Sequence, residues 1–197
     1  NAATEFPLEN IPFGVFEHPV HKKPVCCTRI GDHIIDLQVL EHERAFDGPL
    51  MSAMSEHVFC EPNLNKFASF GKAHRIEVRE KLQHLFSEAH GATDLLKSAM
   101  HSVEGAKMHL PIFVRDYTDF YSSKNHAYNI GVMVRGPENA LQANWLHLPV
   151  GYHGRASSIV VDGTPIRRPK GQVSADKKVP SWSTCNRLDF ELEMGTV

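Results

Sequence analysis

Val25-Cys26-Cys27-Thr28-Arg29-Ile30, then Gly31-Asp32, then His33-Ile34-Ile35-Asp36-Leu37: two β-prone runs flank a glycine-containing pair. That pattern predicts a hairpin, because a two-residue loop needs backbone conformations that glycine adopts without steric cost. Upstream, Phe13 to Phe16 is another short apolar run, and downstream Gly48-Pro49 breaks the chain. From Pro62 the period changes. Leu64, Phe67 and Phe70 fall at helical spacing, and Ile76, Leu82, Leu85, Phe86 and Ala89 recur every three or four residues among charges, predicting an amphipathic helix that ends near Gly91. A weaker helix is expected over Thr93 to Met100. Gly105 to Pro111 reads as a connector, which places a domain boundary there and divides the chain into 1–110 and 111–197. Beyond it the chain turns β-rich. Val132-Met133-Val134-Arg135 stops at Gly136-Pro137, and Ser157 to Val161 runs into the hairpin pair Asp162-Gly163. Pro165 to Gln172 suits a loop or an edge, and Leu188 to Met194 alternates strictly. The expected class is mixed α+β and β-rich.

The bulk numbers set the limits. The chain has 197 residues, 42% of them hydrophobic and 22% charged, with a formal net charge of -2. This length can bury a real core without covalent staples. The charge balance gives no reason to expect nucleic acid or an anionic membrane as partner. No apolar run approaches the ~20 residues that span a bilayer. The four cysteines, Cys26, Cys27, Cys60 and Cys185, form no C-x-x-C pair. A reducing, cytoplasmic setting is therefore expected. The first residue is Asn1, and the last residues sit inside an expected strand, which leads us to expect a fragment.

Three segments could carry chemistry. Alternate residues of a strand share a face. In 188–194 this would align Asp189, Glu191 and Glu193 opposite Leu188, Phe190, Leu192 and Met194. Stacked carboxylates need water or a cation between them, and Mg²⁺ and Ca²⁺ take carboxylate oxygens. Pattern alone leans towards the solvated face of an edge strand. The second segment, Asp116 to His126, puts acids, phenols and an imidazole close together. His126 could serve as a general base, since imidazole titrates near neutrality, and Asp119 could be a cation ligand; a capped turn leading into a core element fits equally. The third, Gly151-Tyr152-His153-Gly154-Arg155, suits an anionic ligand or a purely structural turn, the turn being favoured. The histidines before Pro111 read as surface or packing residues. No G-x-S-x-G elbow, P-loop or G-x-G-x-x-G is present.

Together these segments resemble the fumarylacetoacetase family. The resemblance is closest over Asp116 to Tyr121, Asn144 to Ser158, Gly163 to Gly171 and Leu188 to Met194. Its longest run is Asn144-Trp145-Leu146-His147-Leu148-Pro149-Val150-Gly151-Tyr152-His153-Gly154-Arg155. A looser likeness covers Pro12 to Phe16 and Met108 to Pro111. The resemblance implies a small SH3-like N-terminal domain followed by the start of a larger β-sandwich or roll catalytic domain. It implies Asp119, Glu191 and Glu193 as ligands of a divalent cation, Mg²⁺ or Ca²⁺. It implies His126 as general base, and Tyr121, Arg135 and Tyr152 as substrate-binding residues. The implied activity is hydrolysis of a carbon–carbon bond in 4-fumarylacetoacetate by a homodimer, giving fumarate and acetoacetate in the last step of tyrosine breakdown.

Competing expectations are a related diketo-acid hydrolase or decarboxylase, and a non-catalytic metal-binding protein. The family's fourth metal ligand and its oxyanion donors lie beyond the matched region, so these 197 residues alone are expected to be inactive.

Overall fold

The structure is a computed structural model that describes residues 4–54, 56–87, 89–91, 93–174 and 179–197. The chain falls into two compact units, Asn1–Val160 and Val161–Val197.

The first unit is built on five short antiparallel strands: β1 (Phe13–Glu17), β2 (Pro24–Ile30), β3 (His33–Asp36), β4 (Met100–Ser102) and β5 (Met108–His109), in the order β4-β3-β2-β1-β5. The expected hairpin is present. Cys27 pairs with Asp36 and Ile30 with His33, leaving Gly31-Asp32 as the loop, with Gly31 at φ 57°. The run Val25 to Thr28 is buried throughout, because both faces of the sheet are covered. Val15, Cys26 and Ile35 face a large cluster shared with the helices, while Phe16, Val25, Cys27 and Ile34 form a smaller one with Val103 and Ala106. The segment expected to be a mere connector supplies β5, which pairs with β1 through Val15↔His109 and Phe16↔Met108.

Among the described residues, the α-helices of this half are α1 (Leu37–His42), α2 (Asn65–Ala68), α3 (Lys72–Leu85) and α4 (Asp94–Ala99). Asp36 caps α1 by accepting from the Val39 N–H at 3.0 Å, and Thr93 caps α4 through Leu96. Helix α3 buries Val78 and Leu82 but ends at Leu85, short of Gly91. Charged side chains on the helices hold the long loops by their backbone. Glu77 accepts from the N–H groups of Leu50 and Met51, both at 3.0 Å. Glu41 accepts from Val58 at 2.7 Å and Phe59 at 2.8 Å. Arg79 donates to the carbonyls of Glu9, Asn10 and Ile11. Those bonds hold Ile11 at φ 42°, a region that disfavours β-branched residues.

Residues after 111 form less. The strands and α-helix among the described residues here are β6 (Asp119–Phe120), α5 (Lys124–Arg135), β7 (Gly151–Tyr152), β8 (Lys170–Val173) and β9 (Ser181–Thr184). β6 pairs with β7, and β8 with β9. Residues 132–135, expected as a strand, end helix α5 instead: Ser123 caps its start and Gly136 its end, and these boundaries outweigh the β-branched valines. Asp162-Gly163 does turn, with Gly163 at φ 77°, but a 3-10 turn over Ala156–Ser158 stands where the first hairpin strand was expected. The alternating run 188–194 is not a strand. Among the described residues nothing pairs with it, and a lone strand is not stable in water. Phe190 is 88% exposed and Leu192 and Met194 are each 95% exposed, so the expected apolar packing is absent.

The two adjacent thiols give a test of the sheet's burial. Cys26 donates to the carbonyls of Glu61 and Asn63, and burial, then the Glu41 charge, pushes its thiol from 9.0 up to about 12. Burial, then neighbouring Cys26, pushes Cys27 up as well. A thiol that holds its proton more tightly when folded stabilises fully below the unfolded value and loses that contribution as pH rises through the folded one. Stability should therefore fall between about pH 9 and about pH 12. At pH 8 a thiol-specific chromogenic disulfide should leave Cys26 and Cys27 unreacted until denaturant is added. Reaction of either in the native state would contradict the burial described.

Candidate active site

The two-stranded ribbon β6–β7 organises the resemblance-derived residues of the first unit. Its register pairs Asp119 with Tyr152 and Phe120 with Gly151, joining residues far apart in sequence. Directly opposed residues in an antiparallel pair project on one face, with Cβ atoms ~5 Å apart, so Asp119 and Tyr152 are side-chain neighbours. The approach is close enough to require glycine: a Cβ on Gly151 would meet the Asp119 carbonyl oxygen and Phe120. Gly154, at φ 67°, has no room for a Cβ beside the Tyr117 ring. Both glycines of the Gly-Tyr-His-Gly-Arg turn thus have a steric reason.

Tyr121 follows β6 directly. Its carbonyl accepts from Trp145 Nε1 at 3.1 Å, and the two rings lie 6.4 Å apart. Ser123 then caps α5, its hydroxyl accepting from the His126 N–H at 3.4 Å and its carbonyl from the Ala127 N–H at 2.9 Å. His126 is therefore a first-turn helical residue with an exposed side chain, not a loop residue. Arg135 lies at the other end of α5. Its Nε donates to the Asn139 carbonyl at 3.1 Å and one terminal nitrogen to that of Ala140 at 2.8 Å. Gly131 packs on the same Ala140 carbonyl, where a Cβ would clash.

The Asp119 side chain is half-buried and has no hydrogen-bond or ion-pair partner among the described residues. Glu191 and Glu193 lie in the second unit, in the exposed segment 188–194. Asp189, expected to share their face, accepts the adjacent Phe190 N–H at 2.8 Å.

The structure also gathers ligand side chains that the sequence reading set aside. His18, Asp36 and His101 form one group and Glu41, His57 and Cys60 another, the candidate ligand atoms of each lying within 4.8 Å of one another. In the first group His101 Nε2 sits 4.0 Å from Asp36 Oδ2 with no hydrogen-bond partner. Burial, then the neighbouring His21 and His101, holds the His18 imidazole below its usual value. A cavity of about 290 Å³ opens beside His18 and Asp36 and reaches His42. The H-x-x-C spacing of His57 and Cys60 was the one signal in the sequence that could have found the second group.

The family model described as Fumarylacetoacetase N-terminal matches residues 9–111. The chain is 51% identical over 196 residues to the fumarylacetoacetase of Mus musculus, covering 97% of this chain and 46% of that protein. It is 50% identical to that of Homo sapiens, with the same coverage, and 45% identical over 200 residues to that of Dictyostelium discoideum, covering 98% and 46%. The chain belongs to the fumarylacetoacetase family. It spans about half the length of the curated relatives it matches. Among the described residues no helix is long and apolar enough to cross a membrane.

In this fumarylacetoacetase-family chain the β6–β7 contact is the steric keystone of the candidate site. Gly151→Ala should cost ~1–3 kcal/mol through overpacking, read as a lower urea midpoint. A midpoint equal to that of the parent chain would show that the close approach is not made.

Proposed function

We propose that this chain is the N-terminal part of a fumarylacetoacetase, with 1–110 as an N-terminal domain and 111–197 as the start of the catalytic domain. The complete protein hydrolyses a carbon–carbon bond in 4-fumarylacetoacetate, giving fumarate and acetoacetate in the last step of tyrosine catabolism. The observation that carries this reading is 51% identity to a fumarylacetoacetase across 97% of the chain.

The residue chemistry supports it. His126 takes a proton from water, whose oxygen attacks the ketone carbon of the fumaryl group. The bond from that carbon to the acetoacetate carbon breaks, the hydroxyl stays with fumarate, and the departing carbanion takes up a proton. Tyr121 and Tyr152 orient the substrate through their hydroxyls. Arg135 has Nε and one terminal nitrogen engaged with backbone carbonyls, so its second terminal nitrogen is the one that meets a substrate carboxylate.

A divalent cation fits the donor chemistry. Asp119, Glu191 and Glu193 are hard oxygen ligands suited to Mg²⁺ or Ca²⁺, and the Asp119 carboxylate has no other partner among the described residues. When bound, such a cation supplies Lewis acidity that favours the developing enolate charge.

The complete protein works as a cytoplasmic homodimer in this reading, and the 197 residues alone are inactive. The free thiols suit a reducing compartment, and the many exposed apolar side chains after residue 111 suit burial in a larger assembly.

In the complete protein His126→Ala should lower turnover ~10²–10⁴-fold while leaving cation affinity close to that of the parent, because the imidazole is not a ligand here. Glu191→Ala should weaken cation binding directly, measured by isothermal titration. Equal losses of activity and cation affinity in His126→Ala would overturn this division of roles.

A further inference from the structure

We propose that Glu41, His57 and Cys60 form a zinc-class site that fastens α1 to the loop carrying residues 57–60, a site separate from the carboxylate set above. The candidate ligand atoms of these three residues lie within 4.8 Å of one another, and His42 abuts the thiol. His42 Nε2 is 3.2 Å from Cys60 Sγ, Cys60 Sγ is 3.6 Å from Glu41 Oε2, and His57 Nδ1 is 3.6 Å from Glu41 Oε2. The His42 and His57 rings stand side by side, 5.0 Å apart and 9° from parallel.

The two Glu41 distances, 3.6 Å each, match one cation shared by Glu41, His57 and Cys60. Zinc binds sulfur at ~2.3 Å and imidazole nitrogen or carboxylate oxygen at ~2.0–2.2 Å, so the edges of its coordination tetrahedron are ~3.3–3.7 Å. Hydrogen bonding alone leaves one contact of the group unexplained. The His57–Glu41 distance of 3.6 Å is too long for a hydrogen bond. Cys60 itself can donate its S–H to Glu41 and accept from the His42 Nε2–H, so the His57–Glu41 approach is the contact that hydrogen bonding does not account for. One thiolate, one imidazole and one carboxylate make a donor set with zinc-like softness, with a fourth position left for water. It differs in kind from the all-oxygen set of Asp119, Glu191 and Glu193.

The site is pre-organised on packed elements. Leu40 of α1 and Phe59 of the loop are both 0% exposed, and Phe59 packs against Phe46 and Phe67. Glu41 already joins the two elements through the Val58 and Phe59 N–H groups. Val58 and Phe59 are driven into the core, while the flanking His57 and Cys60 are exposed to solvent. The nearby Lys66 ammonium is engaged by Glu56 and by the His57 carbonyl, each at 2.8 Å. No comparable case holds for His18, Asp36 and His101. His18 Nδ1 accepts from the Val20 N–H at 3.2 Å, which leaves the ring proton on Nε2, the nitrogen a metal would need bare. At the Cys60 site, binding displaces the thiol proton to solvent and requires the neutral His57 ring with its proton on Nε2 and Nδ1 bare.

Cobalt(II) and zinc titrations of the full chain test this. Cobalt should produce a near-ultraviolet thiolate-to-metal charge-transfer band and intense tetrahedral visible bands, saturating at about one equivalent and bleached by zinc. Cys60→Ser should abolish the charge-transfer band, and His57→Gln should weaken the affinity ~10-fold or more. Asp119→Asn should leave both unchanged, which separates this site from the carboxylate set. Absence of a charge-transfer band would overturn the proposal, as would its survival in Cys60→Ser with loss in Cys185→Ser.

Discussion

Strand β2 is buried on both faces, and the first unit is organised around that constraint. Val25 to Thr28 offer no polar side to water, so something must cover each face of the sheet. The helices cover one, with Leu37, Leu40, Val78 and Leu82 at 0% exposure, and Val103 and Ala106 close the other. The long loops between helices cannot form sheet or helix ladders, so their N–H groups need other partners. Glu41 and Glu77 meet that need from fixed positions on α1 and α3, and Arg79 does the same for three carbonyls. The arrangement that seats the Val58–Phe59 segment also brings His57 and Cys60 to α1, so the proposed zinc-class site is a by-product of how the core is closed.

The chain after residue 111 obeys a different balance. Its clearest organising contact is one short ribbon, and the close approach of Gly151 to Asp119 leaves no room for a side chain. In each unit apolar residues stay exposed in this stretch of sequence: Met133 of the first is 73% and Trp182 of the second 72% exposed. Its buried residues are small, Ala127 and Ala140 with Gly131. In the proposed reading this half is the beginning of a catalytic domain whose partners come from the rest of the protein, in keeping with a chain that spans 46% of its mouse relative.

Legibility in the sequence followed the range of the interactions. The β2–β3 hairpin, α3 and α4 depend on neighbouring residues, on a two-residue loop, a helical period and a threonine cap, and all three were readable. Strand β5 was not, because two residues of sheet leave no periodicity and its partner, β1, lies at the other end of the half. Helix α5 was misread because Val132 and Val134 favour strands locally, whereas the boundaries at Ser123 and Gly136 decide the outcome. The run 188–194 carries the period of a strand, but a strand needs a neighbour and none is present among the described residues. The pairing of Asp119 with Tyr152 in the β6–β7 ladder has no signal in spacing or periodicity, because the two lie far apart in sequence. The Glu41–His57–Cys60 group escaped because contacts far apart in sequence create it, and the histidines there look unremarkable one at a time.

The most direct test is a substrate comparison on the full-length protein that carries this chain, supplied with Mg²⁺ or Ca²⁺. Turnover of 4-fumarylacetoacetate should exceed that of acylpyruvates and other diketo acids, with fumarate and acetoacetate formed in equal amounts. Equal or faster turnover of acylpyruvates, or cation binding with no hydrolysis of any of them, would contradict the account.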